Sequence, residues 1–441
     1  MITFFYLDYV KIKLSFIRYI FNENYRNLSS MKSIEQLIVQ SRNEFDLTSE
    51  ESQQSLYTLA EQLMEINQPI DFSSGSLPLE FRMAGKLVKS RKAALDLAKP
   101  VKLGVIFAMW GEQNRLLPKS EANPNGEDTL RTKLAQLEWV CRDTRIDWTL
   151  YAVDDGCPKN SGKIAQKIVA KHPLGKKVRV YFLDEHVPAT EGPLTRLASA
   201  NDSRKGGAII LGALKAIEDG MEAIIYTDAD NSVHLGQIGI LLEKFDGGFK
   251  VVLGNRKDPD SILVKQENRW GIGIKLLRHM QRMVGHSIFS QDILDTQAAF
   301  KLYESQLLKE IIKDPAVFDF SFDSDWISAV LASNIPFAKV PFAFIDSFAE
   351  SASIVQGPMT TWETLLMGLI KSVRHRNLPH NEDMAQVLIE EVESSETLDL
   401  LIHHLPPQLQ SATDAELGNP EIMSPDEVRE WIRGERIKSK E

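Results

Sequence analysis

An α/β fold with a largely parallel sheet, extended by helical regions before and after it, is what the sequence predicts. Five apolar, β-rich runs alternate with helical patterns between residues 101 and 255, and strands alternating with helices build parallel sheets. The runs are continuously apolar, as strands covered on both faces are. Outside this stretch, at 31–98 and beyond 355, apolar residues recur at helical spacing instead.

Taken in order, Ile34, Leu37 and Ile38 mark a first helix, and Leu56, Leu59, Leu63 and Met64 another. Ser73-Ser74-Gly75-Ser76 breaks the pattern and Pro100 closes the region. Strands are expected at Leu103–Met109, Trp148–Val153, Val178–Leu183, Ala223–Thr227 and Val251–Leu253, with helices near 129–142, 161–171, 204–219 and 234–244. The alternation loosens after about 260. A long helix is expected across 268–284, then a strand at Ala298–Leu302, helices at 304–313 and 324–333, and a strand at Ala338–Phe344. Further on, Trp362, Leu365, Leu366, Leu369, Ile370 and Val373 form the apolar stripe of a helix. Ser424-Pro425-Asp426-Glu427 is a helix start, with Ser as N-cap, Pro in the first turn and Glu three residues after the cap. The expected organisation is an N-terminal extension over 1–30, a helical region over 31–100, the α/β domain over 101–350 and a helical region over 351–441.

The chain has 441 residues, 43% hydrophobic and 25% charged, the composition of a globular protein. Its net charge of −10 sets it apart from general nucleic-acid binders, which are basic, so no nucleic-acid partner is expected. Two cysteines, Cys141 and Cys157, make neither a disulfide framework nor a structural zinc site and suit a reducing cytoplasm. No run reaches the roughly 18 apolar residues of a membrane-spanning helix. Residues 1–22 are rich in Phe, Tyr, Ile and Leu but are interrupted by Asp8, Lys11, Lys13 and Arg18, which argues against a secretory signal. An interfacial amphipathic helix, a helix docked on the body, and an extension upstream of a start at Met31 all fit. Membrane contact is expected to be peripheral at most.

Three segments carry the chemistry. In Tyr226-Thr227-Asp228-Ala229-Asp230 an apolar strand runs into two carboxylates spaced i, i+2, which share a face in extended chain. At the carboxyl end of a sheet strand they point into the ligand crevice. Two hard oxygen ligands suit Mg²⁺ or Mn²⁺, which keeps waters and takes phosphate oxygens as well; the plain alternative is a solvated acidic turn. Val153-Asp154-Asp155-Gly156 ends a second strand, either as acceptors for a base or ribose or as a simple turn. Ser203-Arg204-Lys205-Gly206-Gly207 opens a helix with two cations and two glycines, suited to an anionic ligand or merely a basic helix start.

Together with further segments these resemble the family 2 glycosyltransferases of the GT-A fold, a Rossmann-like, mostly parallel α/β architecture, and within them the dolichyl-phosphate glucose and mannose synthase branch. Ala108-Met109-Trp110-Gly111-Glu112 is similar to that family's Pro-x-Tyr-Asn-Glu, and Val153-Asp154-Asp155-Gly156-Cys157-Pro158 to its Val-Asp-Asp-Gly-Ser. Arg204-Lys205-Gly206-Gly207-Ala208 resembles Gly-Lys-Gly-x-Ala, Asp228-Ala229-Asp230 the metal motif, and Gly254-Asn255-Arg256 Gly-Ser-Arg. Asp295-Thr296-Gln297-Ala298-Ala299-Phe300-Lys301 resembles Asp-Thr-Gln-Cys-Gly-Phe-Lys, and Phe322-Asp323-Ser324-Asp325 resembles Phe-Asp-x-Glu. The set falls in the family's order over about 101–350. Four features depart from the pattern. Gly111 replaces the Asn, Asn231-Ser232-Val233-His234 replaces Leu-Gln-His-Pro, residues around 116–128 are an insertion, and no membrane helix pair follows.

The resemblance implies transfer of a sugar from a nucleotide-diphosphate sugar, with inversion, to a small molecule, a glycan or a polyprenyl phosphate. It implies a metal on Asp228 and Asp230, and donor contacts from Glu112, Asp154, Asp155, Arg204, Lys205, Gly206, Asp228 and Arg256. A hydroxyl acceptor needs a base whereas an ionised phosphate does not; Asp323 and Asp325 are the candidates, with Asp295 positioning or stabilising. The plainer reading of one of the 323/325 pair is a cap on the helix that follows. His279, His286, His403 and His404 lack partners at metal-ligand spacing and read as surface or core residues. Lys371, Arg374, His375 and Arg376 suit either a phosphate or a helix C-terminus. Two rival functions remain. Gly111-Glu112-Gln113-Asn114-Arg115-Leu116-Leu117-Pro118-Lys119 faintly resembles the opening of sugar-nucleotide nucleotidyltransferases, and a non-catalytic nucleotide-sugar-binding protein would also fit the altered first motif.

Overall fold

The computed structural model describes residues 33–66, 69–265, 271–346 and 357–439. The N-terminal extension over 1–30, and with it the choice of Met1 or Met31 as start, lies outside the described residues, as do 268–270 of the expected long helix.

Among the described residues three helices lead in: α1 (Ile34–Gln40), α2 (Glu50–Glu65) and α3 (Leu79–Leu95). Ser33 and Gln36 cap α1 reciprocally, side chain to backbone in both directions. The α/β unit follows as β1 (Val101–Met109), α4 (Thr129–Cys141), β2 (Ile146–Asp154), α5 (Ser161–Val169), β3 (Val178–Phe182), α6 (Gly206–Glu218), β4 (Ala223–Thr227), α7 (Ile238–Asp246) and β5 (Val251–Asn255). Then come β6 (Ile262–Val264), α8 (Ile274–Val284), α9 (His286–Phe289), β7 (Phe300–Glu304), α10 (Ser305–Ile311), α11 (Phe322–Ala332), β8 (Phe337–Pro341) and β9 (Ala343–Ile345). Among the described residues five helices follow: α12 (Pro358–His375), α13 (Glu382–Glu391), α14 (Ser395–Leu401), α15 (Pro407–Gln410) and α16 (Pro425–Lys438). The expected cap at Ser424 is present as a full capping box.

The main sheet has the order β3-β2-β1-β4-β7-β5-β8. It is parallel throughout except for β7, which runs antiparallel to β4 and β5. This is the α/β architecture that the sequence predicts. Each face is buried by its own core. One core joins β1 and β2 to α4, α7 and the N-terminal helices, through residues such as Leu56, Phe81, Leu103, Leu134 and Leu241. The other joins α6 to α8, α11 and the C-terminal helices, through Ile209, Met280, Trp326, Leu369 and Leu398. Both helical regions therefore share hydrophobic cores with the sheet.

Three local details differ from expectation. The strand expected at Ala338–Phe344 is two strands. Pro341 has no N–H for a ladder, Phe342 donates instead to Ser261 Oγ (3.1 Å), and β9 leaves to pair with β6. Strand β7 begins two residues later than Ala298, because the Ala298 carbonyl accepts from Lys301 Nζ at 2.5 Å. Helix α6 starts at Gly206, since Lys205 before it has a left-handed backbone (φ +83°). Among the described residues no helix is long and apolar enough to cross a membrane.

Register brings the motifs to one end of the sheet. Met109 pairs with Asp154 and Phe107 with Thr227, so the chain leaves β1, β2 and β4 at the same edge. Because β7 is antiparallel, its beginning lies there too, with Phe300 opposite Thr227. The Asp295–Ala299 segment thus enters beside the Asp228 turn.

Candidate active site

At that edge lies a cleft of about 360 Å³. Glu112, Asp155, Arg204 and Lys205 line one side, Asp228 and Asp230 the floor, and Arg256, Gln297 and Asp323 the far side. Thr361 and Leu365 of α12 complete the wall.

The floor is the turn after β4. Lys205 Nζ donates to Asp228 Oδ1. Burial alone would raise the Asp228 carboxyl, but the Lys205 ammonium, with Arg256 and Lys133 nearby, outweighs it and holds the group below its usual range. Asp230 Oδ1 accepts from the Ser232 N–H at 3.0 Å, and the Asp230 carbonyl accepts from Lys133 Nζ at 2.5 Å. Asp155 Oδ2 accepts the Lys205 N–H at 2.7 Å, and the Ser203 side chain also donates a hydrogen bond to the carboxylate. Burial pushes this carboxyl up to about 6. Gly206 is required by a close approach: a Cβ there would lie 2.7 Å from the Phe318 carbonyl. The same carbonyl accepts the N–H groups of Arg204 and Gly207, which docks the basic helix start on the loop before α11.

On the far side Asp295 grips Arg256 with both oxygens, at 2.7 and 2.8 Å, and accepts its backbone N–H at 2.8 Å. Asp295 therefore acts on the cleft by orienting a guanidinium. Asp323, in the first turn of α11, accepts from Lys301 Nζ at 2.6 Å and from the Tyr226 hydroxyl, both through Oδ1.

Four expected site residues do not line the cleft: Gly206 and Asp295, which pack behind Lys205 and Arg256, and Asp154 and Asp325, which lie elsewhere. Asp154 does not line the cleft: its oxygens accept the N–H groups of Cys157 (2.7 Å) and Gly162 (2.5 Å), which anchors the turn into α5. Asp325 faces the opposite way from Asp323. It is fully buried, holds Arg376 through contacts at 2.9 and 3.2 Å, and accepts the Ala316 N–H at 2.8 Å. It is a clamp between α11 and α12, neither a base nor a helix cap. Removing one partner of a buried ion pair strands the other charge, so Asp325→Ala is expected to destabilise the fold by about 3–5 kcal/mol. Denaturant unfolding checks this. Three of the four residues of the basic cluster at the end of α12 are likewise engaged, Arg374 on Glu382, His375 on Asp314 and Arg376 on Asp325. His279 is a buried core residue that donates to the Met423 carbonyl and accepts from the Gly418 N–H, and His404 pairs with Glu435.

Several cleft residues escaped the sequence reading. Arg115 pairs with Glu112 at 3.2 Å and with Glu127 at 3.1 Å. Lys133 is fully buried beneath Asp230; a lysine inside the Leu130, Leu134, Leu137 stripe was the available signal. Thr361 and Leu365 sit on α12, whose signals in the sequence were its apolar stripe and the basic cluster at its end. Glu112 is buried beside Arg115, Asp230 and Glu127. Burial, opposed by Arg115, pushes its carboxyl up to about 7. A carboxyl raised in the folded state contributes stability below its unfolded value and loses it as pH rises through the folded one. For Glu112 that window runs from 4.5 to about 7. Glu112→Gln, which imitates the protonated form, is therefore expected to stabilise the unliganded protein at pH 8, by up to about 3 kcal/mol. The gain shrinks toward pH 5, as paired unfolding curves would show.

Among the described residues no cluster of three or more His, Cys, Asp or Glu side chains is placed to hold a metal. The candidate ligands are the two carboxylates of the turn after β4, Asp228 and Asp230. That fits Mg²⁺ or Mn²⁺, which binds through one or two carboxylates and completes its shell with water and phosphate oxygens. It does not fit a structural zinc site.

No family model and no curated protein matches the chain. Solved structures of glucosyl-3-phosphoglycerate synthase from Mycobacterium tuberculosis are similar. The complex with Mn²⁺, UDP-glucose and phosphoglyceric acid aligns over 67% of this chain and 84% of that one, at 12% identity and a TM-score of 0.43. The complex with Mg²⁺ and UDP aligns over the same shares at 12% identity and 0.41. Similarity of that extent leaves function to be argued from this chain's own residues.

Proposed function

We propose that this protein is a metal-dependent glycosyltransferase of the GT-A type, moving a sugar from a nucleotide-diphosphate sugar to a hydroxyl or phosphate acceptor with inversion at C1. The observation that carries the reading is the convergence of Asp228 and Asp230 with Arg204, Lys205, Arg256 and Asp323 around one cleft at the carboxyl ends of parallel strands. Ligands bind in that crevice in open α/β sheets.

Asp155 lines the cleft, and its carboxylate is the acceptor for an N–H of the donor's base. Arg204, Lys205 and Arg256 supply positive charge for the diphosphate, and Asp295 fixes the direction of Arg256. Mg²⁺ or Mn²⁺, held by Asp228 and Asp230, would supply Lewis-acid stabilisation of the leaving diphosphate. Asp323 takes the proton of a hydroxyl acceptor as its oxygen bonds to C1. The bond from C1 to the phosphate oxygen breaks, and the nucleoside diphosphate leaves with the electron pair. Lys301 and Tyr226 hold Oδ1 of Asp323 and so orient the carboxylate for that transfer. A phosphate acceptor would need no such base.

The test is a thermal-shift panel of UDP-, GDP- and ADP-sugars with and without Mn²⁺, since a specific binder stabilises the folded state by mass action. Stabilisation by one donor class only with the metal is expected. Consumption of a nucleoside triphosphate with release of pyrophosphate would instead identify a nucleotidyltransferase. Donor binding without transfer or hydrolysis would leave a binding protein.

A further inference from the structure

The insertion at 116–128 and the altered residue Asn231 are each other's partners. Glu127, at the end of the insertion, is 1% exposed. Its Oε2 accepts the Asn231 N–H at 3.1 Å and its carbonyl accepts Asn231 Nδ2 at 2.9 Å. On the other side of the same peptide unit, the Asp230 carbonyl accepts from Lys133 Nζ at 2.5 Å. The peptide between Asp230 and Asn231 is therefore gripped at both its polar groups by buried, oppositely charged side chains that are close in sequence. A peptide unit is planar, so fixing its N–H and its C=O fixes the backbone on which the Asp230 carboxylate is mounted. Hydrogen bonds to charged groups are roughly twice as strong as neutral ones. Arg115, paired to Glu127 at 3.1 Å, holds that carboxylate in turn.

We infer that Glu127 and Lys133 are positioning residues that clamp the Asp230–Asn231 peptide and thereby set the metal affinity of the Asp228–Asp230 turn. The insertion is in this sense a strut of the metal site. The inference rests on the metal-dependent reading proposed above.

The test is direct titration of the full chain with Mn²⁺ alone, without donor, followed by calorimetry or by the Mn²⁺ paramagnetic resonance signal. Outer-shell partners of a metal site are typically worth about 10–100-fold in metal affinity. Glu127→Ala and Lys133→Met are each expected to weaken Mn²⁺ binding by about that factor. Glu127→Gln, whose amide oxygen still accepts the Asn231 N–H but as a weaker, uncharged hydrogen bond, is expected to bind Mn²⁺ measurably less tightly than the wild type and more tightly than Glu127→Ala. A merely structural role would move the unfolding temperature and leave the affinity of the folded fraction unchanged, and that result would overturn the inference. If the alanine or methionine variant fails to fold, Glu127→Gln alone decides, with a measurable loss expected and wild-type affinity overturning the clamp. Absence of Mn²⁺ binding by the wild-type protein would instead remove the metal reading itself, and the clamp with it.

Discussion

Asp230→Ala is expected to abolish metal-dependent donor binding while leaving the fold intact. Asp230 is one of the two carboxylates of the turn after β4, and the other, Asp228, already faces the Lys205 ammonium. Loss of a direct ligand should exceed the roughly 10–100-fold effect of losing an outer-shell partner. Calorimetric titration of a UDP-, GDP- or ADP-sugar with Mn²⁺, beside a circular-dichroism melt, reads both quantities. Undiminished, metal-responsive donor binding in the variant would remove Asp230 from the metal's site and with it the two-carboxylate reading.

Asp323→Asn is expected to lower turnover onto a hydroxyl acceptor by about 10²–10⁴-fold, the usual worth of general-base assistance. Donor affinity should change little, because the residue acts on the acceptor's proton in the transition state. Asparagine keeps an oxygen for Lys301 and Tyr226, so the orientation of the side chain is retained while its basicity is lost. A much smaller loss would point to a phosphate acceptor, including a polyprenyl phosphate. Loss of donor binding would assign Asp323 to the donor side of the cleft. Asp325→Ala provides the contrast in turnover: both variants leave a buried cation, Lys301 or Arg376, without its charge partner and should lower stability, but only Asp323→Asn should slow the folded fraction.

Most of the framework was legible in the sequence because it is set by near neighbours. Continuous apolar runs located β1 to β5, and helical spacing located the helices between them. The carboxylate pair of Asp228 and Asp230 was visible because a strand's end and an i, i+2 spacing are both local features. Ser203–Gly207 was visible as a helix start for the same reason.

What only the tertiary structure decided is which partner each polar group meets. Asp154 and Asp155 are adjacent, yet one is consumed by the start of α5 and the other opens to the cleft. Asp323 and Asp325 lie two apart on one helix. That spacing turns a helical side chain by about half a revolution, so one faces the cleft and the other Arg376, 51 residues away. The antiparallel course of β7 and the approach of Glu127 to Asn231, 104 residues apart, are likewise invisible to any local window. Periodicity records which face of an element is buried, because burial of apolar area is non-directional. Hydrogen bonds and ion pairs depend on distance and angle between residues that only the folded chain brings together.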